Sequence, residues 1–420
     1  MKIIRAYKTE LKPTRRQAET LLRFCNASRV LHNWALGRRK EAYEAGDKLT
    51  RYDQQKEYTL IRKELIAWAD DLPRKSMDFA LIEVEEAYDH FFRRLKTVKV
   101  GKDAGFPKFK AKDRTTPSFR YRHWKAKPDA VYVTNIGWIR LKERDYIPTC
   151  DIQGVYATVS CRAGRWYISC TGRVEAEFPE PTDLAIGVDP GVVRLATLSD
   201  GTTYENPEYL EQHLRKLARL NRELSRRKLG SSNRQKTRAK LANLHAHIGN
   251  ARNHTAHVAT HDIVYNRRPG LIALENPHID GMVEDKLLSR RLADASMGEM
   301  LRQLQYKGGW LGAEIVEIDP YYPSSRICSV CGHQNRLPAS GNQIFKCEVC
   351  DFQAGGDLNA AINLRDVALK ERETLNACGG GSADLPEKQE PAGPWAVLRG
   401  ECPTGWRCPC ICGVLADDLL

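Results

Sequence analysis

Cys328-Ser-Val-Cys331 and Cys347-Glu-Val-Cys350 are two CxxC pairs separated by fifteen residues. Thiolates at that spacing suit one tetrahedral Zn²⁺ in a zinc ribbon. Four thiolates close the shell, so the zinc is expected to be structural. Seven residues past Cys350 stands Asp357, opening the run Asp357-Leu-Asn-Ala-Ala. Two further acids occupy matched places. Asp189 ends the apolar run Leu184-Ala-Ile-Gly-Val, and Glu275 ends Leu271-Ile-Ala-Leu. Acids at the ends of two strands and the start of a helix can gather around two divalent ions about 4 Å apart. Hard oxygen ligands select Mg²⁺ or Mn²⁺. The chemistry expected of such ions is metal-assisted phosphodiester hydrolysis.

Each acid also has a plain structural reading. Asp189 before Pro190-Gly191 suits a turn. Glu275 before Asn276-Pro277 suits an exposed strand end. Asp357 after Gly355-Gly356 suits a helix N-cap. What joins the three is their order, with the cysteine pairs between the second and the third. Strand-end acids beside a helix-borne acid describe the active site of RNase H-like nucleases. His333, two residues past Cys331, reads as a turn residue, not a ligand.

The length of 420 residues allows two or three domains. There is no run of eighteen apolar residues and no signal-peptide core at the N-terminus, so the protein is expected in the cytoplasm, without a membrane span. In that reducing compartment the thirteen cysteines are not expected to staple the fold. Cys25, Cys150, Cys161 and Cys170 read as packing thiols.

Formal net charge is +13, which favours a polyanionic partner. The charge is clustered. Residues 93–127 hold thirteen Lys/Arg against Asp103 and Asp113; residues 213–252 hold twelve against Glu223. Such blocks suit tracking of a phosphate backbone. Gly105-Phe-Pro-Lys108-Phe-Lys110 and Ser118-Phe119-Arg120-Tyr121-Arg122 interleave aromatic and basic residues. That pattern suits base stacking beside phosphate contacts. An amphipathic strand with a solvated basic face is the competing reading.

Elements that must position these groups follow from periodicity. Residues 1–12 read as a strand. Thr14, with Gln17 at capping-box distance, starts a helix to about residue 44. Further helices are expected over 51–69 and from Pro73 to about Leu95. Strands follow at Val131–Thr134, Trp138–Leu141, Gly154–Arg162 and Arg165–Thr171, enough for a compact β-barrel. Glu175–Thr182 reads as a linker. Beyond it, strands are expected at 184–189, 195–198, 271–275 and 315–318, with basic helices over 207–228 and 232–260. A last helix runs from Asp357 to about Glu373. Residues 377–420, rich in glycine and proline, read as a disordered tail. Its Cys408-Pro-Cys-Ile-Cys412 lacks a matching ligand pair nearby.

The motifs Gly187-Val-Asp189-Pro-Gly191, Leu274-Glu275, Tyr322-Pro-Ser-Ser-Arg-Ile-Cys-Ser-Val-Cys-Gly332 and Asp357-Leu-Asn-Ala-Ala-Ile-Asn363 resemble those of TnpB. TnpB, or OrfB, is the transposon-encoded RNA-guided nuclease family ancestral to type V CRISPR effectors. Ala6-Tyr-Lys, Leu11-Lys-Pro-Thr and Gly105-Phe-Pro-Lys-Phe-Lys also match its usual pattern. The resemblance spans roughly residues 1–376.

That resemblance implies an α/β multidomain protein. An RNase H-like (RuvC) nuclease domain would comprise 181–325 and 353–376, with a zinc ribbon insert at 326–352. Residues 1–12 and 100–180 would form a wedge β-barrel, and 13–99 a helical recognition domain. Asp189, Glu275 and Asp357 would hold two Mg²⁺ or Mn²⁺ ions, and the four cysteines one structural Zn²⁺. The implied partners are a guide RNA from the transposon's right end and double-stranded target DNA beside a short motif, read by the division of labour of CRISPR nucleases. The protein would act as a monomer in the complex. Lys75, Lys108, Lys110, Phe119, Arg120, Tyr121, Arg122, Arg226, Arg227, Arg234 and Arg238 are the candidate nucleic-acid contacts. Asn253-His-Thr-Ala-His257 and Gly355-Gly356 depart from the family's usual residues. The alternatives are a miniature type V CRISPR effector, a guide-dependent DNA-binding regulator that does not cut, and a strand-joining transposase.

Overall fold

The computed structural model describes residues 2–72, 74–97, 105–112, 114–122, 124–149, 152–275, 291, 294–336 and 344–378. Cys150, Asn276-Pro277, the tail cysteines 402–412 and the side chains of Lys75 and Cys378 lie outside the described set. The chain divides into two compact units, Met1–Ala176 and Glu177–Leu420.

The first unit is built on a seven-stranded sheet in the order β2-β6-β7-β1-β5-β4-β3. Its strands are β1 (Lys2–Lys12), β2 (Ser118–Tyr121), β3 (Lys125–Lys127), β4 (Ala130–Val133), β5 (Gly137–Leu141), β6 (Ile152–Arg162) and β7 (Arg165–Glu175). Every pairing is antiparallel. Alternation sets the faces: Ile3, Tyr7, Thr9 and Leu11 of β1 point inward, one strand period apart or a multiple of it. The sheet curls. Tyr121 Oη on edge strand β2 donates to Tyr132 O on β4, at 2.9 Å.

Helices α1 (Arg15–Ala45), α2 (Arg51–Leu65) and α3 (Arg74–Thr97) pack in the same unit. The Thr14–Gln17 capping box is formed, and Gly46 ends α1 at φ 79°, where a Cβ would be strained. Phe24 of α1 meets Phe119 of β2 edge to face at 5.6 Å, and Phe79 of α3 meets Tyr156 of β6 at 6.0 Å. The helices thus share a core with the sheet.

The second unit carries a five-stranded mixed sheet in the order β10-β9-β8-β11-β12. β8 (Ala185–Pro190), β9 (Arg194–Leu198) and β10 (Thr203–Glu205) form an antiparallel meander. β11 (Leu271–Glu275) joins β8 in parallel, and β12 (Glu314–Ile318) joins β11 in parallel. Strands buried on both faces need unbroken apolar runs, which Leu271-Ile-Ala-Leu supplies. On one face Ile186, Val188, Ile272 and Leu274 pack against Ala256, Ala259, Met300 and Leu304. These come from α5 (Ser232–His261) and α6 (Met297–Leu311). On the other face Leu271, Ala273 and Ile318 pack against Leu364 and Ala368 of α7 (Gly356–Cys378). Local sequence barely signals α6: Gly298, Gly308 and Gly309 lower its propensity, and burial of its apolar face supplies the stability instead.

α4 (Tyr209–Arg226) and α5 form a hairpin closed by Leu210, Leu217, Leu220, Leu244 and Ile248. Glu208 gives α4 no side-chain cap. Asp294 does so from a distance: its oxygens accept from Leu210 N at 3.0 Å and pair with Arg252 at 2.7 Å. Both side chains are largely buried, 5% and 10% exposed. Removing one partner of a buried pair strands the other charge. Asp294→Ala should therefore destabilise the unit by about 3–5 kcal/mol, read as a lower denaturation midpoint; a change within error would refute the capping role.

Candidate active site and zinc knuckle

The period of the sheet places two of the acids. Ala185, Gly187 and Asp189 alternate onto the α7 side of β8; Leu271, Ala273 and Glu275 do the same on β11. Leu274 lies beside Val188, so the next step brings Glu275 alongside Asp189. The period of the helix places the third. Asp357, Ala361, Leu364 and Ala368 fall on one stripe of α7, and that stripe faces the sheet. Gly187 permits the approach: a Cβ there would stand 1.9 Å from Ala361 O.

Asp189 feels both of the other carboxylates. Asp189 is held well above the usual carboxylate range, first by burial, then by the charges of Glu275 and Asp357. Burial also raises Glu275, against a 3.3 Å hydrogen bond donated by Ser324 Oγ. It raises Asp357 too, which Arg194 partly offsets. All three are half-buried, so solvent still reaches them. A crowded set of acids is an electrostatic debt that divalent ions would settle. The donor set is all carboxylate, the kind Mg²⁺ or Mn²⁺ takes. The carboxylate oxygens are not drawn into a single-ion shell: among the described residues, only the four cysteines form a group of three or more His, Cys, Asp or Glu with all ligand atoms within 4.8 Å.

Cys328, Cys331, Cys347 and Cys350 are that group. The Sγ atoms of Cys328 and Cys350, and of Cys331 and Cys347, are 3.6 Å apart. A tetrahedron with Zn–S of about 2.3 Å has edges of about 3.8 Å, so the sulfurs fit zinc. The backbone N–H groups of Val349 and Cys350 point at Cys347 Sγ, at 3.4 and 3.5 Å. Donation from Cys350 is the main cause that brings the Cys347 thiol down to about 6, favouring the thiolate a metal needs. Phe345 is buried against Cys328 and Cys347, with Phe352 beside them. The hairpin of β13 (Ile344–Lys346) and β14 (Gln353–Gly355) frames the second pair. His333 takes no place in the cluster; its carbonyl accepts from Cys328 N at 2.8 Å.

The candidate nucleic-acid contacts divide. Phe119 and Tyr121 are 2% and 1% exposed. This corrects the stacking expectation: alternation turns both rings into the core. Lys110 and Arg120 face Glu83, at 2.6 and 3.8 Å, so their charges are engaged within the unit. Arg227 bonds Glu223 and Asn233 O, and Arg234 bonds Leu224 O and Arg227 O; both tie α4 to α5. Lys108, Arg122, Arg226 and Arg238 are exposed. Arg219, Arg222, Arg226 and Arg227 line an open groove with Glu223. Ser324, Asn359 and Asn363 sit inside the quoted motifs but carried no expected role; the structure places them between the acids and the knuckle. Two asparagines one helical turn apart, amid alanines, were their one local signal.

The solved structure described as "Cryo-EM structure of the Cas12f1-sgRNA-target DNA complex" superposes with TM-score 0.50 at 15% identity, covering 84% of this chain and 83% of that one. Family models described as "Helix-turn-helix domain", "Probable transposase" and "Cas12f1-like, TNB domain" match residues 1–48, 167–275 and 298–364. Over the first of these ranges the structure has one strand and most of it is the single helix α1. "Putative RNA-guided DNA endonuclease InsQ" of Escherichia coli K12 is 33% identical over 416 residues, 93% of this chain and 98% of that protein. "Putative RNA-guided DNA endonuclease" of Streptomyces pristinaespiralis is 29% identical over 90% of this chain and 91% of that protein. The chain belongs to the TnpB (OrfB) family. Among the described residues, no helix is long and apolar enough to cross a membrane.

Proposed function

We infer that this chain is an RNA-guided DNA endonuclease of an insertion sequence, cutting double-stranded DNA beside a short motif. One observation carries the catalytic reading: Asp189, Glu275 and Asp357, far apart in sequence, meet at one end of one sheet. In this reading the second unit holds the RNase H-like (RuvC) domain, 181–325 and 353–376, with the zinc ribbon at 326–352. The wedge β-barrel, 1–12 and 100–180, would fall in the first unit except for residues 177–180, and the recognition helices, 13–99, wholly within it. The curled sheet supports the barrel assignment.

Asp189, Glu275 and Asp357 would hold two Mg²⁺ or Mn²⁺ ions, which when bound supply Lewis acidity for the attacking water and the leaving 3′-oxygen. The side chains fix where the scissile phosphate must lie, because strand and helix set their separation. The four cysteines would hold one structural Zn²⁺, since a closed shell offers substrate no position. A transposon-derived guide RNA would supply sequence recognition by base pairing. The exposed arginines of the α4–α5 hairpin would follow phosphates. The protein would work as a monomer in the bacterial or archaeal cytoplasm.

The test purifies the protein with its RNA and sequences that RNA. A plasmid matched to its 3′ end is then offered with Mg²⁺. Linearisation supports the reading. Tight binding of the matched plasmid without any cutting would refute it.

A further inference from the structure

Three polar side chains lie between the acids and the knuckle. Asn359 is fully buried and Asn363 is 4% exposed, on a helix whose neighbouring buried positions are Ala360, Ala361 and Leu364. Burying an amide is unfavourable unless its groups are partnered. These are well partnered. Asn363 Nδ2 donates to Ser324 O at 2.8 Å and to Ile327 O at 2.7 Å. Asn359 Nδ2 donates to Ile327 O at 2.7 Å, and its Oδ1 accepts from Ser329 N at 3.0 Å. These amide bonds all go to the backbone of the loop 324–329.

That loop has two ends with different duties. At one end Ser324 Oγ donates to Glu275 Oε2 at 3.3 Å. At the other, Cys328 opens the thiolate cluster. Asn359 and Asn363 follow Asp357 on the same helix. One helical segment therefore carries an acid and grips the loop that touches the second acid and begins the knuckle.

We propose that Ser324, Asn359 and Asn363 are positioning residues that couple the zinc knuckle to the acid cluster. Thiolate loading fixes the loop 324–329, and the fixed loop holds Glu275 in place against Asp357. The inference rests on the reading of these acids as divalent-ion ligands. Linkage makes the coupling reciprocal: whatever zinc adds to divalent-ion affinity, the divalent ion adds to zinc affinity.

The test uses the full-length chain freed of RNA. Mn²⁺ binding is followed by electron paramagnetic resonance, and Asp189→Asn defines the sites that belong to the acid cluster. Zinc content is measured on each sample, and Mg²⁺ dependence of plasmid cutting is measured on the RNA complex. Ser324→Ala should weaken Asp189-dependent Mn²⁺ binding about ten-fold, with full zinc content and unchanged target-DNA affinity. The Mg²⁺ needed for half-maximal cutting should rise in step. Ser324→Thr, which keeps the hydroxyl, should restore both. Chelating zinc from the parent should also weaken Mn²⁺ binding, and Asn363→Ala should remove that dependence. Parent-like Mn²⁺ binding in zinc-loaded Ser324→Ala and Asn363→Ala would overturn the coupling. So would a loss in Asn363→Ala that follows its zinc content while Ser324→Ala stays normal. If Asp189→Asn itself leaves Mn²⁺ binding unchanged, the acid-cluster reading fails, and this inference with it.

Discussion

Asp189→Asn should abolish cutting and at the same time make the metal-free protein harder to melt. The loss of rate is expected to reach at least about a thousand-fold, ~4 kcal/mol of transition-state stabilisation. The gain in stability has a separate origin. Asp189 is crowded by burial and by two acids, so its charged form is disfavoured in the folded state. A carboxyl raised above its ordinary 3.8 binds its proton more tightly folded than unfolded. Its contribution is whole at lower pH and is lost as pH rises through the folded-state value. The metal-free parent should therefore lose heat resistance as pH rises above the ordinary carboxylate range, and the variant should lose less. Adding Mg²⁺ should raise the melting temperature of the parent more than that of the variant. Scanning calorimetry in chelator and in Mg²⁺, with plasmid cutting alongside, checks both halves. A variant that still cuts at a tenth of the parental rate would remove Asp189 from the chemistry. A variant less stable than its parent in chelator would contradict the electrostatic account.

Gly187→Ala is expected to damage stability and activity together. One methyl group would lie 1.9 Å from Ala361 O and 2.8 Å from Arg365 N, both backbone atoms of α7. Backbone cannot swing aside as a side-chain tip can, so the helix must lift from β8. Overpacking of a core costs about 1–3 kcal/mol, and this contact belongs at the upper end. A loss of that size lowers the melting point by roughly 6–12 °C for a unit of this length. Asp357 would move with the helix, so cutting should fall further than the folded fraction does. Gly309→Ala supplies the contrast. A Cβ at Gly309 meets nothing within 4 Å, and the residue lies inside α6. That change should leave cutting intact and stabilise by about 0.5–1 kcal/mol. Equal behaviour of the two variants would show that close packing of α7 on β8 does not set the site.

Much of the site was legible in the chain because its signals are local. One CxxC pair is ambiguous between redox and metal chemistry, whereas two pairs fifteen residues apart point to a four-thiolate site. An apolar run ending in an acid announces a buried strand with a charged tip. The Thr14–Gln17 capping box formed as its spacing predicts. The stacking role given to Phe119 and Tyr121 failed for a physical reason. Alternation says that two residues share a face, but not whether the face meets solvent or core. Here α1 covers it, through Phe24. Arg227 and Arg234 show the same limit for charge: a basic run does not tell which guanidinium groups will close a helix hairpin.

The sequence alone determined the groups on offer: four cysteines at metal-ligand spacing, three carboxylates at strand ends and a helix start, and two basic blocks. Residue type and short spacing decide those, and neither depends on the rest of the chain. Only the tertiary structure decided that the offers are joined. The parallel register of β8 and β11 sets Glu275 beside Asp189, and the bare backbone of Gly187 lets α7 bring Asp357 to them. Asn359 and Asn363 then bind the loop that links this cluster to the knuckle. Those contacts join residues distant along the chain, and burial of both faces of one sheet is what brings them together.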